Sequence, residues 1–127
     1  MSDKRKHRGE NPQDSLLFSS KELPALSLAA ADYVVLLTKN YPQNASLKLV
    51  GDKFALTDRQ RLALMRSCCG DDLTAGRKAK QIRAEDLSGR EIIIDGYNVL
   101  ITIESAMSGA YIFVGTDGCF RDLAGLH

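Results

Sequence analysis

A chain of 127 residues that is 44% hydrophobic and 26% charged has room for one modest domain or two small ones, in the composition range of an ordinary globular protein. No apolar run approaches the roughly 18 residues of a membrane span, and SDKRKHRGENPQDS at the N-terminus lacks an apolar h-region, so neither membrane insertion nor secretion is indicated and a cytoplasmic location is expected. The net charge of +1 conceals a division: Lys53 to Arg90 holds nine basic and five acidic residues, whereas one basic and five acidic residues lie beyond it.

In chain order, residues 1–20 read as a flexible polar leader whose cluster Lys4-Arg5-Lys6-His7-Arg8 is either a nucleic-acid contact or, on the preferred reading, merely solubilising. A helical domain is expected over 21–70. Leu26, Ala30, Tyr33, Val34 and Leu37 recur at helical spacing, predicting an amphipathic helix from Glu22 to about Asn40, with Pro24 in its first turn and Tyr41-Pro42 ending it. A short helix is expected over Asn44 to Val50, with Gly51 as its stop. Thr57 opens a third helix through the capping box TDRQ, in which Gln60 reaches back, and Leu62, Met65 and Cys69 are assigned to its inner face.

Arg59, Arg61 and Arg66 fall largely on the other side of that helix. Three helices with arginines on the last fit a helix-turn-helix-like nucleic-acid reader, but the turn residues equally fit any small bundle. Residues 71–89 read as a basic linker carrying Arg77, Lys78, Lys80 and Arg83, with Ser88-Gly89 as a turn. The cationic stretch is either a phosphate-binding surface or a solvated face.

The stretch EIIIDGYNVLITIES, Glu91–Ser105, carries the most chemistry. Ile92–Ile94 suit a central parallel strand covered on both sides, which places Asp95 at its carboxyl end, where open α/β sheets bind ligands, and lets Gly96 turn the backbone. Asn98 is expected to cap a helix carrying Val99, Leu100, Ile103, Ala106 and Met107 on one face and Asn98, Thr102, Ser105 and Ser108 on the other, with Gly109 closing it. A second strand is expected over Tyr111–Val114. Asp117 either shapes a turn with Gly118 or ligates a metal; Asp122 either pairs with Arg121 or ligates a metal. The expected fold class is therefore α/β: an N-terminal helical bundle followed by a Rossmann-like unit over 90–127.

Cys68, Cys69 and Cys119 make an odd set without disulfide spacing, which fits a reducing compartment and small buried side chains. CxxC is absent and His7 and His127 lie at the chain ends, so a zinc site is not expected, and no Ser/His/Asp or Cys/His nucleophile arrangement can be assembled. Neither a P-loop nor GxGxxG is present, which leaves a nucleotide-binding role weak.

The string IIIDGYNVL resembles the first strand of PIN-like and NYN-like nuclease domains. Over DYVVLLTKNYP, SLKLVGDKFALTDRQRLALMR, IIIDGYNVLITIESAMSG and DGCFRDLAG the chain is similar to an uncharacterised prokaryotic family, domain of unknown function 434, in which a PIN-like domain follows. That resemblance implies an acidic site for cutting RNA, with Asp95 and Asn98 catalytic and Asp95, with Asp117 or Asp122, holding Mg²⁺ or Mn²⁺ that activates water. Because only 32 residues follow Asp95, the α/β unit is expected to be incomplete: a fragment, or a chain completed by a partner or by dimerisation through the sticky Ile92–Ile94 strand. The alternative is a non-catalytic RNA-binding or protein-interaction module in which Asp95 is a structural cap.

Overall fold

Apolar spacing does become helix in the first half of the chain. The computed structural model describes residues 11–125, and its longest helix, α2, runs Leu23–Thr38 with a proline in its first turn and Leu26, Ala29 and Tyr33 buried along one stripe. It stops where the Thr38 hydroxyl donates to the Val34 carbonyl at 2.7 Å and Asn40 takes a left-handed φ of 64°, a conformation that asparagine tolerates. Before it, the single turn α1, Asp14–Leu17, is buried at Asp14. Residues 1–10, with the basic cluster at Lys4–Arg8, and His127 lie outside the described residues.

Helix α3 spans Gln43–Lys53, three residues past the expected stop. Gly51 does not end it but lies buried within it, and the left-handed residue is Ala55, with φ 51°. Helix α4, Asp58–Ser67, begins as the sequence predicts: the Gln60 amide donates to the Thr57 hydroxyl at 3.2 Å and the Thr57 amide to the Gln60 side chain at 3.0 Å. Its inner face is rotated from the expected one. Gln60, Ala63 and Leu64 are buried, whereas Leu62 and Met65 are only half-buried. The rotation follows from the cap, because Gln60 also donates to the Leu17 carbonyl at 2.8 Å and so must face inward.

Helix α5, Asp71–Lys80, buries no side chain and is followed by a 3₁₀ turn at Ala84–Leu87. Gly70, just before α5, has its Cβ position 3.2 Å from the backbone of Leu37 and Thr38, so a side chain there would crowd the end of α2.

The expected α/β unit is not what forms. Ile92, Ile93 and Ile94 make no strand and are 53, 99 and 58% exposed. The one sheet among the described residues is an antiparallel pair, β1 (Phe113–Val114) with β2 (Phe120–Arg121), in which Phe113 faces Arg121. The expected second strand, Tyr111–Val114, is thus reduced to two residues whose partner is downstream rather than a parallel Ile92–Ile94. Strand preference in an apolar run is realised only against a neighbour that accepts its backbone hydrogen bonds, and none is offered to Glu91–Ile94 among the described residues. The described residues are mostly helical and contain no Rossmann-like unit.

Helix α6, Gly96–Met107, starts two residues before the predicted cap: Asp95 is its N-cap residue, Gly96 its first residue without a positive φ, and Asn98 lies inside the first turn. Gly109, with φ 80°, ends it as expected. The chain after α6 returns to the helical bundle. Phe18 meets Phe113 edge-on at 4.9 Å and Tyr111 at 5.8 Å, and Leu123 joins Leu26, Ala29, Tyr33, Val50, Ala63, Leu64 and Cys68 in the core.

Candidate functional site

The acids expected to share a metal site are held in separate settings. Asp95 stays exposed at the start of α6, where the Asn98 side-chain amide donates to its carboxylate at 2.6 Å. One turn on, the Thr102 hydroxyl lies 2.9 Å from the Asp122 carboxylate and 3.0 Å from the Asn98 carbonyl, so its single proton serves these two acceptors in turn. Asp122 also accepts from the Ala124 amide at 2.8 Å, while Arg66 donates to the Asp122 carbonyl at 2.9 Å. Asp95, Asn98, Thr102, Asp122 and Arg66 thereby form one hydrogen-bonded line from α6 to α4. Asp122 takes Thr102 and Arg66, not Arg121, as its partners.

A cleft of about 250 Å³ lies along this line, walled by Arg66, Asn98, Thr102, Arg121 and Asp122. A divalent cation placed there would meet one carboxylate and two guanidinium groups, whereas hard ions are held by converging oxygens. Among the described residues no group of three or more His, Cys, Asp or Glu is arranged to hold a metal ion.

Asp117 is a separate centre. Its side chain is 2% exposed and its carboxylate accepts from Arg77 at 2.9 Å, Arg121 at 2.9 Å and the Cys119 amide at 3.0 Å. Burial by itself would raise its pKa, but the Cys119 amide and the two guanidinium groups outweigh that and hold the carboxyl below its ordinary range. Gly118 takes φ 80° in the turn, as the Asp-Gly pair predicts. A Cβ at Gly115 would lie 2.7 Å from the Asp117 carboxylate and 3.0 Å from the Ser67 carbonyl, so glycine is needed where the hairpin crosses the end of α4.

Most cations proposed for nucleic-acid contact are tied within the chain. Arg59 pairs with the buried Asp14, its second bond at 3.0 Å; Arg61 pairs with Asp52 at 3.0 Å and donates to the Leu56 carbonyl; Arg66 donates to the Asp122 carbonyl and lies 3.7 Å from its carboxylate; Arg77 pairs with Asp117; Arg83 lies 3.6 Å from Asp86. Lys78 and Lys80 are exposed and make no ion pair among the described residues.

The surface that sequence reasoning missed is apolar. Val99, Leu100, Ile103 and Met107 are 43, 63, 48 and 85% exposed, while the fully buried residue of α6 is Ser105 and the half-buried ones are Ile101 and Thr102. The helix is amphipathic as predicted but sits the other way round: the Thr102 and Ser105 side faces the protein. Thr102 bonding to Asp122 explains this, and that contact joins residues 20 apart whose pairing no local pattern reveals.

Comparison with known proteins agrees with a chain of uncharacterised kin. Residues 25–80 match the family described as "Protein of unknown function (DUF434)", and residues 84–127 match "Domain of unknown function (DUF5616)". Neither description names a nuclease. Over 103 residues, 81% of this chain, it is 28% identical to Uncharacterized protein MJ0935 of Methanocaldococcus jannaschii, and it spans about half (50%) of that relative's length. No solved structure matches the chain. The resemblance read from the sequence is thus matched for the 434 family over residues 25–80, and the chain is similar to an uncharacterised archaeal protein.

Proposed function

We propose that the chain is a non-catalytic protein-interaction module, a helical scaffold that presents Ile92–Ile94 and the outer face of α6 to a protein surface. The observation that supports this most is exposure: eight large apolar side chains between Ile92 and Met107, Tyr97 among them, are each at least 43% exposed. Together they offer on the order of 1,000 Å² of apolar surface, beyond the few hundred that a monomer ordinarily leaves in one patch. Tyr97 and Met107, both 85% exposed, are residue types enriched in protein interfaces.

A phosphate-binding role draws less support, because Arg59, Arg61, Arg66, Arg77 and Arg83 are spent on carboxylates of the same chain. The test is fluorescence of a hydrophobic dye with the whole chain and with an Ile93→Lys/Leu100→Lys double variant, alongside a single-stranded RNA titration. Dye binding that the double variant loses while keeping its helical circular dichroism is the expected result. RNA binding that weakens on Lys78→Ala/Lys80→Ala, with no dye binding, would overturn the reading in favour of a nucleic-acid module.

A further inference from the structure

We propose that the partner for this face is a second copy of the same chain, docked through an antiparallel pairing of α6 with α6; this rests on the interaction-module reading above. The exposed apolar residues of α6 have the spacing of a helix–helix seam. Leu100, Ile103 and Met107 follow one another at intervals of three and four, with Val99 and the exposed Ala106 flanking them. That is the a/d pattern by which two helices interdigitate side chains at a shallow crossing angle. The opposite side of the helix is already occupied by the contact of Thr102 with Asp122, so the seam can only be used outward.

A two-fold axis through Ile103 sets complementary sizes against each other. Ile103 then meets the partner's Ile103, Val99 meets the partner's Met107, and Leu100 meets the partner's Ala106. Such an isologous contact uses one patch twice and closes without leaving a sticky surface. Between Ile92 and Met107 the charged residues are Asp95 and Glu104 alone, so little charge is desolvated when the face is covered. The available area also suffices. The arm Ile92–Ile94 and the α6 face together offer on the order of 1,000 Å² per chain, against the roughly 800 Å² per partner of a standard stable interface, so the pairing has to cover the arm as well as the seam.

The experiment is sedimentation equilibrium of the whole chain across a wide concentration range, with Ile103→Lys as the disrupting variant and Ile103→Cys, in a Cys119→Ser background, as the geometric probe. A residue on the axis is the position at which a single new cysteine faces its own copy, and Cys68 and Cys69 are buried. The expected results are a mass of twice 13.9 kDa, conversion to monomer by Ile103→Lys with helical content retained, and a covalent dimer from Ile103→Cys on mild oxidation. A monomer at all concentrations overturns the proposal. If that monomer still binds a hydrophobic dye and Ile103→Lys abolishes the binding, the interaction-module reading survives without self-pairing; if it binds none, both fall. A dimer unaffected by Ile103→Lys and not cross-linked through Ile103→Cys overturns the α6 pairing as well.

Discussion

Arg77 donates to the carboxylate of Asp117 at 2.9 Å across forty positions of sequence, and this contact ties α5 to the turn between β1 and β2. Arg121 of β2 reaches the same oxygen at 2.9 Å, and α5, which buries no side chain, is tied to α2 as well, where the Asp71 amide donates to the Thr38 hydroxyl at 3.0 Å. Because the guanidinium groups are 46 and 36% exposed, solvent screens part of the attraction. Asp117→Ala would leave both cations and the Cys119 amide without their acceptor, and an expected loss of about 1–3 kcal/mol is to be read from urea unfolding. The pH dependence has a definite sign. Since the folded pKa lies below the ordinary 3.8, the stabilisation is fully present above that value and is lost as pH falls from it through the folded pKa. Acid unfolding should therefore lose a component in the Asp117→Asn variant.

The capping box at Thr57 makes a local prediction. Thr57→Ala removes the acceptor for the Gln60 amide, and the expected cost is about 1 kcal/mol in thermal or urea unfolding. Gln60→Ala is expected to cost more, because it also removes the bond to the Leu17 carbonyl that holds α1 against α4. Equal losses in the two variants would show that the α1 contact contributes nothing.

Thiol reactivity should separate the cysteines. Cys119 is exposed, whereas burial, with the neighbouring Cys69 adding to it, pushes the Cys68 thiol up to about 11. At neutral pH a disulfide reagent should modify Cys119 quickly and Cys68 only as the chain unfolds, since the thiolate is the reacting species. Rapid modification of two thiols in the folded Cys119→Ser protein would contradict the packing of α4 against the hairpin.

A calorimetric Mn²⁺ titration addresses the divalent-ion expectation. Asp95 has Asn98 as its side-chain partner, and Asp117 is saturated by two arginines and an amide. The expected outcome is no binding heat that depends on Asp95. Heat that disappears in Asp95→Asn would instead restore the carboxylate at the head of α6 as a metal ligand.

Local chemistry was legible from the chain alone. The capping box at Thr57, the stop of α2 before Tyr41-Pro42, the αL glycines at 109 and 118 and the helical period after Asp95 each depend on residues within a few positions of one another, and each appears in the structure. What only folding decided was pairing at long range. Whether Ile92–Ile94 became a strand turned on a neighbour absent from its own vicinity. Which side of α6 faced inward turned on a hydroxyl–carboxylate bond between Thr102 and Asp122, twenty residues apart. Period encodes that a helix has two faces. The side that is buried depends on which face finds partners, and it is the Thr102 side that finds Asp122 while Leu100 and Ile103 stay exposed.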